Sequence, residues 1–383
     1  MISKLSDLCY FAYARVPVAD LDLKTYISTE NMLPNRGGVT YATRLPTVLQ
    51  VQAYRTTDVL VSNIRPYFRK IWFADREGGC SNDVLVLRAR ENCNPRFLYY
   101  LLSSDNFFDY ATTTAKGTKM PRGDKEAIMQ YEVPILPLAI QIRIANVLST
   151  LDNKIDINKA INHCLEEMAQ AIFKSWFVDF EPFGGEEPSE WQTGRLTDIA
   201  DYLNGLAMQR FRPTEGETGL PVLKIKELRQ GLCDSSSELC SPSIRSDYIV
   251  HDGDVIFSWS GSLLVDFWCG GDCGLNQHLF KVTSRKYDKW FYYTWTCHHL
   301  AKFIAMAADK ATTMGHIKRE ALENAEVIIP DDDSYSQIDG LLAPLYEQII
   351  NNRVESRKLV QLRDSLLSKL MTGEIAVEEV SNE

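Results

Sequence analysis

The chain has 383 residues, of which 45% are apolar, and a formal net charge of −10. This length suits two or three folded domains, and no apolar run reaches the about 18 residues that a membrane-spanning helix needs. The acidic charge argues against a simple nucleic-acid coat, but it is concentrated in two segments predicted to be helical and in the tail, which leaves room for a local basic face.

Residues 1–136 form the first predicted domain, in which short strand-like runs alternate with turns. Three of these runs, Asp58–Ile64, Lys70–Ala74 and Asp83–Arg88, are bounded by Gly, Asn and Pro. The pattern predicts a domain of mixed α and β structure.

Two basic clusters lie in this first domain. One consists of Arg65, Arg69 and Lys70, with Tyr67 and Phe68 between them. The other occupies a loop that contains Gly and Pro, and its members are Lys116, Lys119 and Arg122. Flexible loop backbone with Lys and Arg suits phosphate contacts, and a forked Arg side chain can read guanine. These six cations are candidates for DNA contact, although either cluster taken alone could be an ordinary solvated surface.

Residues 137–180 are predicted to form a long helix, because they contain no Gly and begin with Pro137, which the first turn of a helix tolerates. Apolar residues recur at steps of three and four, as in the seam of a coiled coil. They are Leu148, Leu151, Ile155, Leu165, Ala169, Ile172 and Trp176, with Asn158 and Asn162 in two polar slots.

The end of this helix carries an aromatic patch that a two-helix seam cannot bury completely. Its members are Phe173, Trp176, Phe177 and Phe180. We expect part of this patch to be exposed in the isolated chain. There it would either dock a partner subunit or pin the following domain to the helix end.

A linker rich in Gly, Glu and Pro covers 181–191, and a second mixed domain follows at 192–330. Its candidate DNA contacts are Asn276, Gln277 and His278, whose side chains could read base edges, together with the basic residues Lys310, His316 and Lys318. A second predicted helical segment, 331–375, ends near Gly373, and 376–383 form an acidic tail. The seam residues of this second helix are Ile338, Leu342, Leu345, Ile349, Asn352, Leu359, Leu362 and Leu366.

The two halves of the chain are a tandem duplication with an offset of 194 residues. Between Thr118 and Ile172, 13 of 55 positions are identical at this offset, whereas composition alone would give about three or four. The two helices most simply bury their matched seams on each other, antiparallel, and so hold two domains at a fixed distance. Asn158 and Asn352 would then lie at one level and fix the register, unless both face solvent.

No catalytic motif is found. The chain has no phosphate-binding loop, no Asn/Asp-Pro-Pro-Tyr/Phe stretch, no Gly-x-Ser-x-Gly and no His-Glu-x-x-His. Cys269, Cys273, Cys297 and His298 could be drawn as a zinc set, but the Cys-x3-Cys spacing is unusual and the first half has no counterpart. The nine cysteines include no Cys-x-x-Cys and no secretory signal is evident. We therefore expect reduced thiols, a cytoplasmic protein, no membrane partner, and no catalytic or metal-binding residue.

Over essentially its whole length the chain resembles the specificity subunit of type I restriction–modification systems. The matching stretches are Tyr26–Pro34, Lys119–Arg122, Gln141–Asn158, Ala171–Phe180 and Leu275–Phe280, and the most specific part is the aromatic stretch Phe173–Phe180. The acidic run Asp331–Asp333 replaces the usual Pro-Leu-rich lead-in, so the start of the last helix is not defined by the resemblance.

The resemblance implies an α+β fold. Two duplicated mixed α/β target-recognition domains would be separated by two long antiparallel coiled-coil helices with pseudo-twofold symmetry. Each domain would read half of an asymmetric bipartite site in double-stranded DNA, and the helices would set the gap. The helices would also dock two modification subunits, which use S-adenosylmethionine to methylate adenine, and the assembly would recruit two restriction subunits that use ATP and Mg.

By the same resemblance the chain itself would be non-catalytic and would bind no cofactor directly. The alternatives are a non-catalytic coiled-coil scaffold without a DNA role, or an unrecognised nuclease. DNA binding measured with and without a modification subunit separates both alternatives from a specificity subunit.

Overall fold

The computed structural model describes residues 2–309, 317–372 and 374–375. The predicted DNA contacts Lys310 and His316, the helix stop Gly373 and the acidic tail 376–383 lie outside these ranges. The chain divides into two compact units. Unit 1 comprises Met1–Asn153 with Val360–Glu383, and unit 2 comprises Lys154–Leu359. Each unit therefore takes part of both long helices.

The described residues of unit 1 form ten short strands, four short α-helices, the first part of one long helix and the last part of another. The strands are β1 (Ile2–Lys4), β2 (Cys9–Phe11), β3 (Arg15–Pro17), β4 (Tyr26–Ile27), β5 (Gln50–Tyr54), β6 (Val59–Ser62), β7 (Ile71–Phe73), β8 (Gly78–Cys80), β9 (Val84–Ala89) and β10 (Glu132–Pro134). The helices are α1 (Leu5–Leu8), α2 (Pro95–Ser103), α3 (Asp105–Thr113), α4 (Lys125–Met129) and the long α5 (Leu138–Phe177). The three strand-like runs identified in the sequence are confirmed as β6, β7 and β9.

Unit 2 repeats this plan with its own strands and helices. The helices are α6 (Leu196–Ile199), α7 (Ile225–Gln230), α8 (Lys289–Asp309), α9 (Arg319–Glu323) and the long α10 (Asp332–Thr372). The strands are β11 (Gln192–Arg195), β12 (Asp201–Asn204), β13 (Leu220–Leu223), β14 (Leu239–Cys240), β15 (Ile249–Val250), β16 (Val255–Ser258), β17 (Leu264–Phe267), β18 (Cys273–Leu275), β19 (Leu279–Thr283) and β20 (Glu326–Ile329).

The sheets of the two units show the duplication directly. Unit 1 has an antiparallel sheet in the order β2-β9-β6-β7, and unit 2 has β12-β19-β16-β17 in the same order and directions. In the central strands β6 and β9, residues 59–61 and 84–87 are all Val or Leu and are buried on both faces, as expected for β-branched and apolar residues inside a sheet. The α+β fold with two duplicated mixed domains is therefore confirmed.

The second sheet of unit 1 differs from that of unit 2 at one edge. In unit 1, β8 lies between parallel β4 and antiparallel β5, and β3 extends the sheet beyond β5. In unit 2, β18 lies between parallel β13 and antiparallel β15, but the extra strand β14 extends the opposite edge, beyond β13. The inner strands are shared by the two repeats, whereas the edge strand and its loops are not.

The long helices carry the predicted seams. In unit 2, Asn158 Nδ2 lies 3.5 Å from Asn352 O, and Asn162 Nδ2 donates to Ile349 O at 3.1 Å. Residue numbers rise on one helix as they fall on the other, so the helices are antiparallel there. Asn352 Nδ2 also donates to Asn162 Oδ1 at 2.8 Å. All three Asn side chains are buried, so the alternative in which they face solvent is wrong.

The predicted seam is wrong near the end of α10. Leu362 is 48% exposed, and the buried residues are instead Leu367 and Leu370. Arg363 also turns inward within unit 1 and donates to Asp152 of α5 at 2.7 Å. A straight α-helix drifts by about 20° per heptad from an exact seven-residue repeat. Over several heptads this drift moves the buried stripe by about one residue.

Asp331, the first residue of the acidic run, caps α10. Asp331 Oδ1 accepts hydrogen bonds from the backbone N–H groups of Ser334 at 2.9 Å and Asp333 at 3.1 Å. The bonds from Ser334 contribute most to lowering the pKa of the Asp331 carboxyl. A carboxylate at this position satisfies free N–H groups and suits the helix dipole, so the helix begins at Asp332.

No helix within the described ranges is both long enough and apolar enough to cross a membrane.

Candidate nucleic-acid interface

The structure brings the two basic clusters of unit 1 together. Arg65 N donates to Pro121 O at 2.8 Å, and Gly123 N donates to Asn63 O at 3.0 Å. A third loop joins them, because Asn35 N donates to Phe68 O at 2.8 Å and Arg36 N donates to Arg69 O at 2.9 Å. We call residues 34–38, 63–70 and 116–123 the unit 1 loop cluster.

The loop cluster lies at one end of the central sheet. β6 ends at Ser62, which pairs with Val84 at the start of β9, so the 63–70 loop leaves the sheet at this end. Four of the six non-glycine residues with positive φ in the described chain belong to the cluster, at φ between 50° and 61°: Asn35, Arg36, Arg65 and Arg69. Such strain is stored where surrounding structure enforces it, often at functional sites.

Carboxylates hold most of the cations in this cluster. The guanidinium groups of Arg36 and Arg69 both bond Asp105, the latter at 2.7 Å. The other ion pairs join Lys116 Nζ to Asp124 at 2.5 Å and Arg122 to Asp83 at 3.1 Å. Arg36 was not among the predicted contacts. Its only sequence signal is the adjoining Gly37-Gly38 turn.

Lys119 and Lys70 differ from these paired cations. Lys119 is exposed and makes no ion pair with any residue that the structure describes. Lys70 Nζ donates to Thr29 O at 2.6 Å, and burial lowers the pKa of Lys70. Lys119 is therefore the predicted cation of the unit 1 loop cluster that is most available to a phosphate, whereas Lys70 supports the loop.

Two buried polar atoms at the base of the cluster, Asn63 Oδ1 and Arg65 Nε, have no hydrogen-bond partner within the described part of the chain. Leaving a buried donor or acceptor unsatisfied costs about 1–3 kcal/mol. Unsatisfied groups are uncommon in native structures. Together with the left-handed residues, these two atoms make the base of the cluster a costly local arrangement.

The same end of unit 2 is built from different residues. Ile317 N donates to Trp259 O at 3.2 Å, which matches the Gly123–Asn63 contact of unit 1. The loop after β16 is shorter, with Gly261 and Ser262 in place of the Arg65–Lys70 cluster. Lys318 is exposed just before α9.

The predicted amide and imidazole run of unit 2 has unequal exposure. Asn276 is buried. Its backbone carbonyl oxygen lies so close to Gly205 that a Cβ atom on residue 205 would be 2.2 Å from it. Gln277 is half-buried and His278 is exposed. The ring Nδ1 of His278 lies 3.1 Å from Ser260 Oγ. Asn276 therefore supports the loop, and Gln277 and His278 are the members able to reach a ligand.

The expectation of an exposed aromatic patch is wrong for Phe173 and Phe177. Both side chains are buried in the core of unit 2. The ring of Phe177 lies 5.6 Å from those of Trp191 and Trp295, and 6.0 Å from that of Phe291. Trp176 and Phe180 are half-buried and pack against the same core through Phe183 and Trp191. The patch therefore fixes α5 to the domain that follows it.

A different apolar stripe on α5 is exposed. Its members recur at steps of four, three and four: Ile157, Ile161, Cys164 and Met168. The equivalent positions on α10 are Asn351, Glu355, Lys358 and Leu362, mostly polar residues. We call these four α5 residues the exposed stripe. The exposed stripe was not predicted because it flanks the buried seam, although its spacing is visible in the sequence.

The four residues considered for zinc have separate surroundings. Cys269 Sγ lies 4.0 Å from Ile350 O, whereas the ring of His298 packs on Phe173 and Trp295. Burial raises the pKa of Cys269 to about 11 and that of Cys297 to about 12, which disfavours the thiolate that a metal requires. Within the described ranges, no group of three or more His, Cys, Asp or Glu could hold a metal ion.

The family model described as "Type I restriction modification DNA specificity domain" matches residues 24–167 and 188–358. A type I restriction enzyme MjaIX specificity subunit from Methanocaldococcus jannaschii is 30% identical over 308 residues, which cover 74% of this chain and 70% of that protein. The HindI specificity subunit from Haemophilus influenzae is 21% identical over 402 residues. The match covers 85% of this chain and 88% of that protein. The crystal structure of a type I restriction-modification system S subunit from M. genitalium has the same fold, with a TM-score of 0.60 and 14% identity over 97% of this chain and 96% of that chain.

Proposed function

This chain belongs to the family of type I restriction–modification specificity subunits, and from that premise we propose that each of its units reads one half of an asymmetric, bipartite site in double-stranded DNA. The observation that carries the proposal is the repeated sheet with unequal loops. Both units place loops at the same end of a common frame, but the loop residues differ. A common frame with different loops suits two different half-sites.

The family is generally non-catalytic, and we infer that chemistry is supplied by partner subunits. Two modification subunits would bring S-adenosylmethionine and methylate adenine, and two restriction subunits would bring ATP and Mg. The net charge of −10 fits this arrangement, because partner subunits would share the neutralisation of DNA phosphates.

We infer that the exposed stripe of α5 contributes to docking a modification subunit. Apolar side chains at heptad spacing on one helix face form a surface that a helix of another protein can pack against. This inference replaces the aromatic patch as the docking surface, because Phe173 and Phe177 are buried in the core of unit 2.

A domain exchange tests the division into two half-sites. Replacing 192–330 by the equivalent segment of a relative with a different site is expected to change one half of the methylated sequence and leave the other unchanged. The measurement is genome-wide mapping of methylated adenine in cells that express the variant with its modification subunit. The reciprocal exchange of 1–136 is the control, and a change in both halves after either exchange would contradict the proposal.

A second prediction separates DNA positioning from DNA reading. Lys119→Ala is expected to weaken binding to all DNA about equally and to lower the slope of log K against log salt by about 0.9, the value for one phosphate contact. Gln277→Ala is expected to weaken the binding free energy by roughly 1–3 kcal/mol on the cognate site only. Binding is measured by titration at several salt concentrations on cognate and random duplexes.

Asn276→Ala is the matched control for Gln277→Ala, because it removes the neighbouring amide from a buried position. We expect it to lower the melting temperature and to affect cognate and random DNA to the same extent. If Gln277→Ala behaves like Asn276→Ala, then Gln277 is a structural residue and does not read a base.

A further inference from the structure

Two aromatic rings form the tip of the 63–70 loop and belong to no hydrophobic core. Tyr67 is 48% exposed and Phe68 is 39% exposed, and their ring centroids are 4.8 Å apart. Both lie in a single 3-10 turn, Pro66–Phe68, between the left-handed residues Arg65 and Arg69. We call Tyr67 and Phe68 the aromatic tip.

The backbone beneath the aromatic tip is held from several sides. Arg65 N bonds Pro121 O, Phe68 O accepts from Asn35 N, and Arg69 O accepts from Arg36 N. Ser62 N donates to Lys70 O at 3.0 Å. Asp105 then ties the side chains of Arg36 and Arg69 to α3. The structure therefore keeps two large apolar side chains in water on a strained, rigid turn. Such a feature indicates a binding role.

The charge around the tip indicates what it binds. Lys70 Nζ lies 5.9 Å from the Phe68 ring centroid, and Lys116, Lys119 and Arg122 lie on the adjoining loop. An apolar centre with a cationic rim fits a nucleic acid, in which phosphates flank stacked bases.

We propose that the aromatic tip inserts between two base pairs of the half-site bound by unit 1 and partly unstacks them. The proposal rests on the DNA-reading function proposed above and adds its physical mode. Apolar wedges of this kind kink duplexes, and pyrimidine–purine steps deform most easily. Part of the specificity of unit 1 then comes from the deformability of the DNA at one base step, to which the protein makes no directed hydrogen bond.

Among the described residues of unit 2, the loop after β16 carries no equivalent tip. In the corresponding loop Trp259 is half-buried, its indole N–H donates to Asn204 Oδ1 at 3.0 Å, and its ring packs on Phe280 at 5.7 Å. The distortion is therefore confined to one half-site, which makes the other half-site an internal control.

The experiment uses the full chain in complex with its modification subunits, on duplexes that carry 2-aminopurine at successive positions. Positions of the methylated adenine are left out, because the modification subunit must take that base out of the stack. We expect the fluorescence of 2-aminopurine at one step of the unit 1 half-site to rise several-fold when the wild type or Phe68→Tyr binds. With Phe68→Ala the signal is lost and cognate affinity falls about tenfold.

Tyr10→Ala is the matched control. Tyr10 is also 39% exposed, but it pairs with Arg88, at the other end of the sheet from Ser62 and Val84, and we expect no change in signal or affinity. An abasic site at the affected step removes the unstacking energy, and we expect it to tighten binding of the wild type more than that of Phe68→Ala.

The proposal is overturned if no step brightens while Phe68→Ala binds cognate DNA as tightly as the wild type. In that case the DNA-reading function still stands. It is also overturned if Phe68→Ala loses the modification subunits in a pull-down, which would make the tip a protein contact. If the wild-type complex does not distinguish cognate from random DNA, the function and the proposal fail together.

Discussion

Replacing Phe177 by Asp is expected to unfold unit 2 of the free chain. Truncating a buried Phe to Ala typically destabilises a protein by about 3–5 kcal/mol, and a buried carboxylate without a partner adds to this loss. Phe177 is 3% exposed, among Phe173, Trp191, Phe291 and Trp295. The expected loss is a large fraction of the about 5–15 kcal/mol that stabilises a typical domain. Chemical denaturation of the free chain measures it.

Two further aspartates on the same segment serve as controls. Val178, the next residue, is 44% exposed, so Val178→Asp is expected to leave stability nearly unchanged. Ile161 of the exposed stripe is 41% exposed, and Ile161→Asp is expected to reduce capture of the modification subunit while the free chain stays folded. A Phe177→Asp chain as stable as the wild type would contradict the packing described above.

The sequence predicts this fold well because its strongest signals are physical repeats. The heptad pattern and the 194-residue offset both depend on which residues must be buried, and the burial of apolar surface is the main force that drives folding. The same local argument fails where burial depends on a neighbour that the sequence does not identify. Phe173 and Phe177 look like spare surface on a two-helix seam, but they are covered by Trp191 and Trp295, residues that a local pattern cannot bring to the helix.

The site is predicted less completely than the fold, and the reason is again non-local. Residue types alone identify Arg65, Arg69 and Lys119 as candidates. Only the tertiary structure shows that Asp105 holds Arg69 while Lys119 has no carboxylate partner in the described chain. Whether a cation in a loop is paired or available depends on whether the fold places a carboxylate opposite it. For the same reason Arg36 gave little signal in the sequence, although its guanidinium shares Asp105 with Arg69.

Lengthening α5 and α10 together by seven residues is expected to widen the gap between the two half-sites by about three base pairs, with each half-site unchanged. Seven residues add about 10 Å of helix, and a base pair rises by about 3.4 Å. The insertions belong between Asn153 and Lys154 and between Leu359 and Val360, with Leu at the two seam positions of each insert. Mapping methylated adenines reports the gap and both half-sites in one measurement.

These insertion points leave the pairing on either side intact. Asp152 and Arg363 keep their ion pair in unit 1, and Lys154 keeps its contact with Glu355 in unit 2. A seven-residue insert changes the phase of the seam by about 20°, whereas a four-residue insert would change it by about 40°. Inserting seven residues in α5 alone puts the two seams out of register, so that variant should lose methylation altogether. An unchanged gap in the doubly lengthened chain, or an altered half-site, would show that the helices do not set the spacing.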